Sequence, residues 1–173
     1  MESLFENKHT RDEACMKEYF KYFYFGKPVL MVISIFFAIG FIFGIVSVFY
    51  PEIPFNNTLR AIYIFTPLFV WTVNILRYFK AVKISIMRDR ETNNGSLVEI
   101  LYIVSDEKVE VICESKGMKN SVCFSQIKKV IKTKSLIILI TEARLSLIFK
   151  NDSFIKGTSE EFLSFLKNKG FKV

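Results

Sequence analysis

The sequence offers few groups that could carry out catalytic chemistry. Its one histidine, His9, stands near the N-terminus, far along the chain from any acid-rich strand that could orient it as a base. The three cysteines, Cys15, Cys113 and Cys123, form no CxxC pair, and no second metal-binding motif accompanies them. No P-loop or dinucleotide-binding fingerprint is present. We therefore expect a protein that is not an enzyme and that binds no metal ion or cofactor.

A lysine-rich segment is the best candidate for a binding surface. The two-residue period of a strand places Lys128, Lys132 and Lys134 on one face and Lys129 on the other. Ammonium groups suit an anionic lipid layer because they act as point charges without requiring a particular shape. The segment is either a surface for lipid headgroups or an acidic partner, or a solvated face of a small sheet. With two lysines of the preceding hairpin, the candidate residues are Lys128, Lys132, Lys134, Lys116 and Lys119.

The net charge of +7 at pH 7 fits an anionic ligand. Attraction to anionic headgroups is the simplest explanation of a basic surface beside a membrane. Nucleic acid fits less well, because no recognisable nucleic-acid-binding motif accompanies the charge.

The elements that position these lysines begin with two apolar runs. The run Pro28–Tyr50 contains no charged residue, and as a helix it is long enough to cross a hydrocarbon core of about 30 Å. A turn over 51–57 leads to a second run at about 59–79, in which Pro67 is expected to kink the helix. The sequence thus predicts a transmembrane helical hairpin over residues 28–79.

Positive charge flanks this hairpin on its two outer sides, whereas the connecting loop carries only Arg60. The positive-inside rule then places both termini in the cytoplasm and makes the chain a multi-pass protein of the cell membrane. The flanking residues are Lys17, Lys21 and Lys27 before the first span and Arg77, Lys80, Lys83, Arg88 and Arg90 after the second.

Gly40 and Gly44 form a GxxxG motif in the first span. Two small residues on one helical face allow another helix to approach closely. The partner is either the second span of the same chain or a second copy in a homodimer.

The segments on either side of the hairpin are expected to be helical. Residues 1–27 are interpreted as a cytoplasmic leader, in which Thr10 and Glu13 form a capping box that starts a helix over Arg11–Phe25. The aromatic second half of that helix predicts an interfacial anchor, or alternatively rings that pack on the C-terminal domain. Residues 80–93 are expected to extend the second span as a juxtamembrane helix, with a strand as the alternative.

Residues 94–173 are predicted to form an α+β domain that folds alone. Their two-residue alternation predicts a small, strongly bent antiparallel sheet. A C-terminal helix starts at a second capping box, Thr158 with Glu161, and caps the sheet with an apolar stripe. The expected strands are Leu97–Val104, Lys108–Glu114, Ser121–Phe124, Ile127–Thr133, Leu136–Ile140 and Arg144–Lys150.

Two stretches of this domain, FSQIKKVIKTKSLIILI and IFKNDSFIKGTSEEFLSFLKNKGFK, resemble the YcxB-like proteins of bacteria. The resemblance covers the C-terminal domain closely, and the two preceding spans match the usual layout of the family. It implies a membrane-tethered domain with a pleckstrin-homology-like (PH-like) fold, a bent seven-stranded barrel plugged by its last helix. It implies fold and location only, since the motif carries no catalytic residues.

The sequence therefore predicts a non-catalytic integral membrane protein. Its cytoplasmic PH-like domain would act as a tethered binding module for a protein partner or an anionic lipid surface. The alternative is a self-protection or immunity-type factor that acts through its transmembrane hairpin.

Overall fold

The structure is a computed structural model that describes residues 2–50, 52, 55–113 and 117–172. It divides into two compact units, one of Met1–Tyr19 with Ile84–Val173 and the other of Phe20–Lys83. The first is called here the sheet unit and the second the hairpin unit. The elements in chain order are β1 Phe5–Thr10, α1 Glu13–Lys21, a π-helical turn Tyr22–Gly26, α2 Pro28–Phe49, α3 Asn57–Glu91, β2 Glu99–Val104, β3 Lys108–Cys113, β4 Met118–Cys123, a 3-10 turn Phe124–Gln126, β5 Ile127–Lys132, β6 Leu136–Thr141, β7 Ser146–Lys150, β8 Phe154–Lys156 and α4 Ser159–Asn168.

The hairpin unit holds two helices that are long and apolar enough to cross a membrane. Pro28 starts α2, where its missing N–H costs nothing, and Asn56 caps α3 by accepting the N–H of Leu59 at 2.8 Å. α3 continues as one helix to Glu91, so residues 80–91 are helix and not strand. Much of the predicted turn over 51–57 lies outside the described residues.

The small residues of α2 lie against α3 of the same chain. A Cβ atom at Gly44 would come within 3.0 Å of Ile64 Cγ1 and Tyr63 Cβ, and one at Gly40 within 3.3 Å of Tyr63 Cδ1. Ser47 continues this face, is fully buried, and donates its hydroxyl to the carbonyl of Gly44 at 2.7 Å. Close helix contact at this motif is therefore made within the hairpin.

The sheet unit contains two antiparallel sheets in place of the single bent sheet expected. One has the strand order β4-β3-β2-β1-β8 and the other the order β5-β6-β7. The 3-10 turn after β4 separates them, because it ends the ladder before β5 begins. The main core includes Phe149 from β7 and Phe162 and Leu166 from α4, all fully buried.

The N-terminal segment corrects the predicted leader. Residues Phe5–Thr10 form a strand that pairs with β2 from Phe5↔Val104 to Thr10↔Glu99 and with β8 on its other side. Thr10 is thus engaged in the sheet and does not cap a helix. The cap is Asp12, whose Oδ1 accepts the N–H of Cys15 at 2.7 Å, and α1 begins at Glu13. At α4 the predicted capping box is confirmed, with Thr158 and Glu161 exchanging hydrogen bonds of 3.2 and 2.9 Å.

The second sheet is covered on both faces, as the continuous apolar run of β6 predicts. The four residues Leu136–Leu139 are all fully buried, although only alternate ones belong to the main core. α1 attaches to this sheet by polar contacts, since the hydroxyl of Tyr19 donates to Ser146 Oγ at 2.9 Å.

We predict that residues 1–19 joined to residues 84–173 by a flexible glycine–serine linker form a soluble protein with cooperative thermal unfolding. Residues 94–173 alone should lack such a transition, because without β1 the edges of β2 and β8 are left unpaired. Circular dichroism melting compares the two. The joined chain without residues 1–10 is the control, and an equally cooperative transition in residues 94–173 would contradict the prediction.

Candidate functional site

β5 carries Lys128, Lys129 and Lys132, but not with the predicted alternation, and Lys134 lies in the turn after the strand. Its pairing shifts from Ile127↔Thr141 to Lys129↔Ile140, so Lys128 is the extra residue of a β-bulge. As a result Lys128 and Lys129 are both exposed, whereas Val130 and Ile131 are both buried. The assignment of Lys128 and Lys129 to opposite faces, and of Lys128 and Lys132 to one face, is therefore wrong, because one inserted residue cancels the two-residue period.

Three of the five candidate lysines form no ion pair with a described acid. Lys128, Lys132 and Lys134 are exposed, and within the described part of the chain no acidic oxygen lies within 4.0 Å of their ammonium groups. Lys119 differs, since its Nζ lies 3.0 Å from Glu110 Oε2. Lys116 lies outside the described residues. The basic edge is defined here as Lys128, Lys132 and Lys134.

The turn between β5 and β6 holds the carboxylate of Glu18 from α1. Glu18 Oε1 accepts the hydroxyl of Thr133 at 2.5 Å and the backbone N–H of Ser135 at 2.7 Å. Glu18 Oε2 accepts the hydroxyl of Ser135. Partial burial raises the pKa of Glu18, but the hydrogen bonds from Ser135 and Thr133 outweigh it and the pKa is lowered.

The sequence gives no clear signal for this contact. Glu18 is one acid among the lysines and aromatic residues of a helix, and its partners lie more than a hundred residues away along the chain. The only local signal is that Lys134 stands between a threonine and a serine, which suit a tight turn.

A second polar group lies inside the sheet unit, around His9. His9 Nδ1 is 3.0 Å from Asn7 Oδ1, and Asn7 Nδ2 donates to the carbonyl of Lys150 at 2.8 Å. Nδ1 therefore carries the proton, and the buried Nε2 has no hydrogen-bond partner among the described residues. The ring stacks on Tyr102 with centroids 5.8 Å apart.

Burial decides the protonation of the groups in this interior. Burial first, and then the charges of Lys150 and Arg11, lower the pKa of His9 to about 4. Burial raises the pKa of Cys15 to about 11, so this sulfur is a thiol at neutral pH and not a nucleophilic thiolate. Arg11 Nε lies 3.5 Å from Oδ2 of the buried Asp89, which adds a partly buried ion pair beside them. No group of His, Cys, Asp and Glu in the described ranges could hold a metal ion.

We predict that the free energy of unfolding falls by about 3 kcal/mol as pH drops from 6.5 to 4, through His9 alone. In the unfolded state His9 takes up a proton over this window. In the folded state His9 stays mostly neutral until the pH approaches 4, because its pKa there is about 4. Denaturation at several pH values should show this slope, and His9→Gln should lack it. His9 is the chain's one histidine, so the substitution removes the only imidazole, while the same carboxylates are present in both proteins. Equal slopes would refute the assignment.

Comparisons of the chain with protein-family models, with curated proteins and with solved structures find no match. The resemblance to the YcxB-like proteins therefore stays an expectation. Function is therefore inferred from the chain's own residues.

Proposed function

We propose that the chain is a non-catalytic integral membrane protein in which α2 and α3 cross the bilayer as a hairpin. The sheet unit is then a cytoplasmic binding module tethered to that membrane. The length and apolar character of both helices support the crossing.

The observation that carries this proposal is the pairing of β1 with β2. β1 precedes both helices and β2 follows both, yet they hydrogen-bond along their whole length. Strands of one sheet lie on the same side of a membrane, so the chain between them crosses an even number of times. Two spanning helices meet this condition, whereas a single spanning helix does not.

The direction of the hairpin follows from its flanking charges. Lysines and arginines cluster before α2 and along the last turns of α3, whereas Arg60 is alone near the connecting loop. This distribution supports a cytoplasmic sheet unit. Two antiparallel sheets closed by a C-terminal helix are compatible with a PH-like module of the YcxB type, with eight strands in place of seven.

The basic edge supports anionic lipid headgroups as the ligand of the module. The sheet unit pairs some of its lysines with acids, as at Lys8 with Glu99 and Lys169 with Asp106. Lys128, Lys132 and Lys134 are exposed, unpaired with any described acid, and lie within seven residues of one another. Each lysine near an anionic surface contributes about 1 kcal/mol. Tethering keeps the unit at high effective concentration beside the bilayer, so this attraction suffices to orient it.

The proposed topology predicts which thiols an impermeant reagent reaches in intact cells. Cys15 and Cys113 are buried and Cys123 is exposed, so Cys123 is the native reporter of the sheet unit. Glu52→Cys, with Cys123 replaced by Ser, reports the connecting loop. We expect the loop cysteine to be labelled in intact cells and Cys123 only after permeabilisation. The reverse pattern would invert the topology, and labelling of both in intact cells would exclude a cytoplasmic sheet unit.

The basic edge predicts that lipid charge draws the sheet unit to the bilayer. The full chain, labelled at Cys123 with a fluorophore, is placed in nanodiscs that carry a headgroup-linked acceptor. Energy transfer should be higher with phosphatidylglycerol than with phosphatidylcholine, and the difference should fade at high salt.

Replacing Lys128, Lys132 and Lys134 by Glu should abolish that difference. The matched control replaces the exposed Lys156, Lys167 and Lys172 by Glu, which changes the net charge equally and should leave the difference in place. An equal effect of both sets, or no lipid dependence in the wild type, would refute lipid docking and direct attention to a protein partner.

A further inference from the structure

We propose that the turn between β5 and β6 is a binding site for a phosphate group and that Glu18 occupies this site in the unliganded protein. The inference deepens the proposed function and rests on it, because it names the part of the headgroup that the basic edge recognises. The observation behind it is that three donors of one short turn converge on a single carboxylate.

The donors of the turn form a preformed cradle for an anion. The hydroxyl of Thr133, the backbone N–H of Ser135 and the hydroxyl of Ser135 all point at the two oxygens of Glu18. Hydrogen bonds to a charged acceptor are about twice as strong as neutral ones. Such an arrangement accepts any anion with oxygens at similar spacing.

The surrounding charge favours an anion with more negative charge than a carboxylate. Lys132 directly precedes the turn and Lys134 lies within it, close enough to contribute to the lowered pKa of Glu18. Glu18 brings one negative charge, whereas a phosphate monoester brings up to two and has three terminal oxygens. A phosphate can therefore accept all three donors and also pair with a lysine.

Glu18 competes with the ligand because it belongs to the same chain. A tethered group acts at an effective concentration in the millimolar range, so an external phosphate must displace it. The wild type is then expected to bind free phosphate weakly. Removing the charge of Glu18 should strengthen phosphate binding by about tenfold or more.

The test measures the melting temperature of the full chain in detergent as inorganic phosphate replaces chloride at constant ionic strength. Glu18→Ala empties the cradle, and Glu18→Gln leaves a neutral side chain of the same size for the case in which the alanine variant does not fold. We expect phosphate to raise the melting temperature of either variant much more than that of the wild type. Equal responses of variant and wild type would overturn the proposal.

A second substitution locates the response. Adding Ser135→Ala to the Glu18 variant should remove the effect of phosphate, because it deletes one donor of the cradle. Ser125→Ala, at an exposed serine of the 3-10 turn, is the matched control and should keep the effect. Loss in neither variant would show general charge attraction, and loss in both would show a response that does not depend on this turn. Either result would overturn the site.

Two further arms separate the sources of phosphate and the two proposals. The Glu18→Gln chain is placed in nanodiscs with phosphatidic acid, whose headgroup is a phosphate monoester, or with phosphatidylglycerol. Energy transfer from Cys123 that is higher with phosphatidic acid and is reversed by inorganic phosphate identifies the lipid as the source. If only inorganic phosphate binds, the source is the free anion.

The two proposals fail in different ways. If the phosphate response is missing but the basic-edge substitutions still abolish the lipid dependence, this site alone is refuted. If phosphate stabilises the Glu18 variants but the basic-edge substitutions have no effect, lipid docking alone is refuted.

Discussion

The backbone hydrogen bonds between β1 and β2 join two segments that the whole hairpin separates along the chain. Through this pairing β1 becomes an interior strand with β2 on one side and β8 on the other. It brings Asn7 and His9 into the interior and places α1 directly after its end. Pairing β1 with β2 closes a long loop and costs conformational entropy. This cost grows only with the logarithm of loop length, so the length of the hairpin between the two strands adds little to it.

α1 gains its role from this position. Two residues separate the end of β1 from the start of α1. Tyr19 of this helix contacts β7, and Glu18 contacts the turn between β5 and β6. The first sheet, the helix and the second sheet are therefore linked in sequence through one short N-terminal segment. A segment that resembles a leader in its composition is in this way a structural part of the folded unit.

The sequence predicts those parts of the fold that carry a local signal. The two spans are long apolar runs, α4 begins at a capping box, β2 alternates in burial, and β6 shows the continuous run of a strand buried on both sides. β1 is not predicted as a strand, because two of its inward residues, Asn7 and His9, are polar. Apolar and polar residues therefore do not alternate along it. β8 is only three residues long, and the bulge at Lys128 depends on its partner strand. The contact of Glu18 cannot be predicted either, since it joins elements distant in sequence.

The place of β1 before both helices also determines the order in which the sheet can form. β1 is made before the helices, whereas its partners β2 and β8 are made only after both. For a chain that crosses the membrane as proposed, β1 waits as an unpaired strand until insertion is complete. A helix that failed to insert would leave β1 and β2 in different compartments, with their strands open to proteases. For such a chain, completion of the sheet would act as a check on correct membrane insertion.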